Sequence, residues 1–328
     1  MAQKTTDISR PVSSVARLAV LQILLRLLDA MEANRPGAAL GEEVERLHDL
    51  RVAVRRTRAA LGQFREVLPA EALEHFRGEF RWVGSLSGPL RDLDVYLQHF
   101  ASCRDALPAA YREELVPLEA LLRDRRQTAQ RRLAQAVSSR RYRALVKQWR
   151  RFLTDTASDE TLPPDAQMPM AALAGRRIRK LFRRVLKSGR KIGTDSPAAD
   201  LHALRILCKK LRYLLEFSAE YYEPKRVELL VAALKALQDN LGAFQDLTVQ
   251  IRALAGFAEE LAAAGTPVRT LLAMGMLIEH LERQRRKVRK EFASSFTRFS
   301  RKRNRTLFKD LFADAAAEKA ARRKNPDL

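Results

Sequence analysis

The groups in this chain that could do chemistry are concentrated in one spacing used twice, His-x-x-Arg-x-x-x-basic-basic-x-Arg. It occurs as His48, Arg51, Arg55, Arg56 and Arg58, and again as His202, Arg205, Lys209, Lys210 and Arg212, 202 − 48 = 154 residues later. Between 47–61 and 201–215 six of fifteen positions are identical, and Arg55 and Arg56 give way to Lys209 and Lys210, so charge is kept where identity is not. Guanidinium and ammonium groups bind phosphate and carboxylate oxygens, and histidine adds a donor that gains charge near neutral pH. The chemistry offered is capture of an anion.

Such a spacing requires a helix. At about 100° per residue, His48, Arg51, Arg55 and Arg58 fall within an arc of about 80°, with Arg56 roughly 80° to the other side of His48. Leu47, Leu50, Val54 and Leu61 occupy the remaining arc, as do Leu201, Leu204, Leu211 and Leu215 in the second copy, while Val52 and Ile206 sit among the cations. Charge on one wet helix face is ordinary. Recurrence of its sign and offsets is not, and no acid stands four residues after His48, Arg51, His202 or Arg205.

Other readings of the motif fail on their partners. The pair His48-Asp49 would suit a phosphoacceptor helix or a metal-dependent phosphohydrolase, but Asp49 becomes Ala203 in the repeat and no Gly-rich nucleotide loop follows. His75, His99 and His280 lie in unrelated patterns, and a ring of arginines repels a cation. No catalytic residue, metal or cofactor is expected.

The excess of Lys and Arg over Asp and Glu is 61 − 39 = +22, which calls for a polyanionic partner: nucleic acid, an anionic membrane surface or a phosphate polymer. With 46% hydrophobic residues the chain has material for a core, so it is not a disordered basic tail. Cys103 and Cys208 cannot form a disulfide framework or a four-thiolate zinc site. No stretch approaches the roughly 20 apolar residues of a membrane span. These features predict a cytoplasmic protein that does not insert into membranes.

Long segments of 3.6-residue period predict an all-α fold of two similar halves, 10–153 and 171–320, joined by a Pro-rich, acidic linker at 154–170. The first half reads as helices over 11–34 and 42–67, a loop at 35–37, and a helix over 71–86 broken by Ser87-Gly88-Pro89 before another opens at Leu90. One or two helices follow over 108–152. In the second half a basic helix at 176–187 carries Arg176, Arg179, Lys180 and Arg183, and Ser196-Pro197 reads as the N-cap and first residue of the second motif helix. Further helices follow over 224–241 and 243–264 and a basic segment over 267–320, with 321–328 frayed. Asp92 and Asp246, each 44 residues after its histidine, either orient a motif Arg or His across the hairpin or start a helix. Tyr213 is either a half-buried residue or a further phosphate-facing candidate.

The duplicated His48-x-x-Arg51 and His202-x-x-Arg205 motifs, their basic pairs, Arg91-Asp92-x-Asp94 and Leu211-Arg212-Tyr213 resemble the CHAD domain, the conserved histidine α-helical domain, over about residues 10–310. The resemblance implies two pseudo-symmetric four-helix bundles and non-enzymatic binding of inorganic polyphosphate, often on polyphosphate granules. It implies binding by the ten motif residues, with Asp92, Asp246, Tyr213 and the 176–183 cations in support. Gln245 and Thr248 stand where the first half has Arg91 and Asp94, so a role resting on the acid pair Asp92 and Asp94 is not expected in the second half. The Glu-x-Glu-x-Lys signature of the triphosphate tunnel domain that accompanies some members is absent. A sequence-independent nucleic-acid-binding protein is the alternative function, and weak nucleic-acid binding a secondary expectation; oligomeric state is not legible.

Overall fold

The computed structural model describes residues 15–41, 43–155 and 163–313, and over these the chain is helical. The first half comprises α1 (Ala16–Leu40), α2 (Val44–Gln63), α3 (Ala70–Gln98), the short α4 (Phe100–Asp105) and α5 (Ala109–Arg112), α6 (Val116–Val137) and α7 (Arg140–Asp155). The second comprises α8 (Pro164–Gln167), α9 (Met170–Gly189), α10 (Ala198–Phe217), α11 (Pro224–Ala263), α12 (Val268–Phe299) and α13 (Lys302–Leu311). The starts of α1, α2 and α3 precede those of α9, α10 and α11 by 154 residues each, as do the ends of α2 and α10. The sequence repeat is therefore a repeat of elements.

Packing follows the apolar arcs. All eight residues assigned to the dry faces of the motif helices are buried, from Leu47 and Leu50 to Leu211 and Leu215. In α7 the buried positions Tyr142, Leu145, Trp149 and Leu153 recur at three- and four-residue intervals, and Trp149 stacks on Phe152 at 5.4 Å and meets Phe76 at 4.4 Å. One continuous core joins both halves, from Ala16 in α1 to Phe312 after α13. A second apolar cluster packs the ends of α3, α4 and α6 against α11 and α12, through Leu93, Phe100, Leu122, Leu254 and Met274. An isolated antiparallel bridge pairs Val15 with Pro169, two repeat-equivalent residues, and the Ala16 amide donates to the Met168 carbonyl at 2.8 Å.

Local breaking signals were overridden in three places. The helix α1 runs through Pro36 to Leu40, where the loop was expected, and ends at Gly41 with φ 76°. The helix α3 runs through Gly88-Pro89, and α11 is unbroken over the expected junction at 241–243. Pro89 is exposed and Leu90 beside it is fully buried. One lost backbone bond costs about 3 kcal/mol, and burial of the flanking apolar residues on both sides offsets it. The first motif helix ends at Gln63 rather than 67, because the Phe64 amide closes on the Ala60 carbonyl and the Phe64 ring turns into the core. Ser196 does not cap α10; its hydroxyl accepts from the Gly193 amide and closes the preceding turn, and Pro197 holds the cap position. The linker expected over 154–170 contains α8 and the start of α9, its 156–162 part lying outside the described residues, as does the segment expected to fray.

The buried Asp94 carboxylate accepts from Arg126 Nε at 2.7 Å, tying α3 to α6. Removing one partner of a buried pair strands the other charge, so Arg126→Ala is expected to cost about 3–5 kcal/mol in urea unfolding. Arg123→Ala, which breaks the exposed Arg123–Glu119 pair, is expected to cost about 1 kcal/mol or less. Equal midpoint shifts would show that the Asp94 pair does not clamp the helices.

Candidate anion-binding site

The two motif helices lie against each other, and their contact brings the two sets of cations together. Arg55 Nε donates to the Tyr213 hydroxyl at 2.8 Å, and Gln63 Nε2 to the Lys210 carbonyl at 3.0 Å. Arg56 Nη1 reaches Glu216 at 2.7 Å while its guanidinium lies 5.2 Å from the Phe217 ring centre; Arg212 Nε shares the same carboxylate at 3.2 Å. Arg56 and Arg212 are thus partly neutralised, and the Arg56–Glu216 pair holds α2 against α10. Tyr213, expected as a phosphate-facing candidate or a half-buried residue, is 5% exposed and presents its hydroxyl to Arg55.

The electrostatics show which groups share one field. Burial lowers the Arg51 pKa; Asp92 opposes that shift, and Arg55 and Arg91 reinforce it. Burial first, then Arg205 and Arg55, with a smaller contribution from Arg212 and against the opposing charge of Asp246, together bring the Lys209 pKa down to about 8. Arg55 therefore acts on Arg51 of its own helix and on Lys209, its repeat equivalent, across the junction. Burial raises the Asp92 pKa, Arg51 opposes that, and Asp246 raises it further. Asp92 and Asp246 are also repeat equivalents, so the junction sets like against like.

Both carboxylates lie well inside α3 and α11, which removes the helix-start reading. Asp246 Oδ1 receives Arg205 Nη2 at 3.4 Å, and Asp92 is the charge opposing burial at Arg51: each acid faces the arginine of its own hairpin. In the first half Arg51 and Arg58 lie close over the glycines of α3. A Cβ at Gly88 would stand 3.4 Å from Arg51 Nη1, and one at Gly84 would stand 3.0 Å from Arg58 Nη1.

The departures in the second hairpin have local causes. Gln245 Oε1 meets His202 Nδ1 at 2.8 Å, whereas the residue at the equivalent first-half position, Arg91, offers no acceptor to His48. Thr248 donates to the Phe244 carbonyl in its own helix, while Asp94 is engaged by Arg126. Asp94 is thus a packing residue. The 176–183 cations of α9 face other neighbours: Arg176 pairs with Asp165 at 2.6 Å, Arg179 donates to the Phe312 carbonyl, Arg183 Nε approaches the Arg179 carbonyl at 3.4 Å, and Lys180 is exposed. Arg91 and Glu216 belong to the cluster and were not among the candidates. Arg91 belongs to the Arg91-Asp92-x-Asp94 motif but was not carried among the binding positions because Gln245 replaces it in the repeat, and Glu216 lies beyond the repeated stretch.

The family model described as the CHAD domain matches residues 22–255. The chain belongs to the CHAD family. It is similar to the crystal structure of the CHAD domain from the plant Ricinus communis, with 28% identity over 87% of this chain and 92% of that one and a TM-score of 0.72. It also has the fold of PptA from Streptomyces chartreusis, at 20% identity, 87% and 100% coverage and a TM-score of 0.64. No curated protein matches the chain. In this CHAD domain no helix among the described residues is long and apolar enough to cross a membrane.

Lys209 offers a direct check on the geometry. In the free protein its amine is expected to titrate near pH 8, followed by NMR of its ε-methylene. Asp246→Asn should lower that midpoint and Arg55→Gln should raise it, since the acid favours and the arginine disfavours the ammonium. A midpoint indifferent to Arg55 would mean that the two motif copies do not share a field.

Proposed function

We propose that the chain binds inorganic polyphosphate, without turning it over, in the cation cluster at the α2–α10 junction. The observation that supports this best is the meeting of Arg55 and Lys209, which makes two cation stripes into one site. Val15 with Pro169, Arg55 with Lys209, and Asp92 with Asp246 are three repeat-equivalent pairs in proximity. We read them as marking an approximate two-fold axis, about which His48, Arg51, Arg55 and Arg58 are related to His202, Arg205, Lys209 and Arg212. Membership of the CHAD family supports the same ligand. The site's remaining work is positional: Asp92 and Asp246 hold Arg51 and Arg205, Tyr213 holds Arg55, and His48 and His202 add donors.

A thin, flexible polyanion suits a cluster of this kind. Single-strand recognition uses exposed aromatic rings on the basic face, and the aromatic side chain among the motif cations, Tyr213, is buried. Duplex recognition uses cations spread along two rigid strands. We place the protein in the cytoplasm, associated with polyphosphate granules.

Competition at near-physiological salt tests this reading: bound long polyphosphate should resist displacement by duplex DNA at matched phosphate concentration. If DNA displaces it, the nucleic-acid reading takes its place. Affinity should rise with polymer length and then level off, because a tethered second contact acts at high effective concentration. Arg55→Ala and Lys209→Ala should each cost about 1.5–3 kcal/mol of binding. Arg125→Ala should cost little, since Arg125 is engaged by Glu260.

The pH dependence has a defined sign. Bound phosphate favours the Lys209 ammonium, so its pKa rises above about 8 on binding. Binding therefore takes up a proton above that pH, and affinity is full below it and declines above it, by up to about tenfold per pH unit. Lys209→Arg should flatten the curve between about pH 7 and 9.5. A flat wild-type curve would separate Lys209 from the ligand.

A further inference from the structure

A second concentration of cations lies in a groove of about 700 Å³ between α1 and α7. Arg35, Arg143, Lys147, Arg150 and Arg151 line it, against the single acid Glu32. None belongs to the repeated motif. The sequence puts them together: on α7 the buried Tyr142, Leu145, Trp149 and Leu153 fix the dry face, and Arg143, Lys147, Arg150 and Arg151 follow on the wet face. Eight residues at 1.5 Å each give that stripe a length of about 12 Å.

The charges divide into engaged and available. Arg150 pairs with Asp29 at 2.7 Å and Arg151 with Asp155 at 3.1 Å. The side chains of Arg143 and Lys147, both exposed, have neither an ion pair nor a hydrogen bond among the described residues. Across the groove the Glu32 carboxylate accepts from the Tyr142 hydroxyl at 2.7 Å and stands 3.7 Å from Arg35 Nε, which is buried and makes no hydrogen bond. A buried donor without an acceptor is costly, and here it borders the groove. Val137 and Val146 supply an apolar wall.

We propose that this groove is a binding site for a compact small molecule bearing several phosphate groups, separate from the α2–α10 site. Its size suits a small ligand, and its cations suit multiple phosphates over a short span. A long polymer fits it poorly, because the cations are bounded by Asp29 and Glu32 on α1 and by Asp155 at the carbonyl end of α7, where the helix dipole also disfavours an anion. The ligand's phosphates lie between Arg143 and Lys147 on one wall and Arg35 on the other. The Arg143 and Lys147 pair does not recur at the repeat offset, where the residues are Thr297 and Arg301, at the end of α12 and beyond it.

Calorimetric titration of the full chain with ATP and with inositol hexakisphosphate, at about 150 mM salt, tests the proposal. Arg143→Ala/Lys147→Ala changes two exposed side chains and should weaken binding of at least one probe tenfold or more. It should leave long-chain polyphosphate affinity within about twofold. Arg55→Ala/Lys209→Ala should show the reverse pattern, so failure of the groove and failure of the junction reading are distinguishable. Lys187→Ala/Arg190→Ala, which removes the same net charge at the end of α9, should change neither. The proposal is overturned if neither probe is weakened by the groove variant, or if the α9 variant weakens them as much.

Discussion

Like-charge repulsion at the contact between α2 and α10 is the constraint to which the rest of the molecule answers. Two helices rich in arginine and lysine do not associate through their wet faces without help, and Lys209, with a pKa near 8, carries part of the cost. The help comes from three kinds of contact. Leu47, Leu50, Leu201 and Leu204 anchor the opposite faces in the core; Glu216 of α10 pairs with Arg56 across the junction and with Arg212 of its own helix; Asp92 and Asp246 face Arg51 and Arg205. The cations are left crowded and incompletely neutralised, a state that an anion relieves.

The carboxylates that make the cluster tolerable also limit it. Burial raises the energy of the Asp92 anion and the nearby Asp246 charge raises it further, so the acids cannot be multiplied without cost. Elsewhere the arginines are largely spent within the protein, as with Arg126 on Asp94, Arg125 on Glu260, Arg141 on Glu79 and Arg269 on Glu114. A net charge of +22 thus overstates the surface available to a ligand, and the distribution of unspent cations carries more information than their sum.

Much of the fold was legible because helical periodicity is a local property. The dry faces of both motif helices are buried as their spacing required, and the 154-residue offset reappears in the starts of three pairs of helices. The errors were errors of punctuation. Pro36, the Gly88-Pro89 step and the 241–243 junction read as breaks, and Ser196 as a cap, because each is weighed locally in a sequence while the buried neighbours that outweigh it come from distant segments.

The sequence by itself determined that the chain is helical, that one motif recurs at a 154-residue offset, and which face of each motif helix carries histidine and cations, since all three depend on residue type and spacing alone. Only the tertiary structure decided that the two faces meet, because that depends on how α2 and α10 cross and on the pairing of Val15 with Pro169. It also decided which charges remain available. Arg56 and Arg212 look equivalent to Arg51 and Arg205 in the repeat, but Glu216 engages the first two and the hairpin acids hold the others, and charge neutralisation depends on distances that no spacing rule contains.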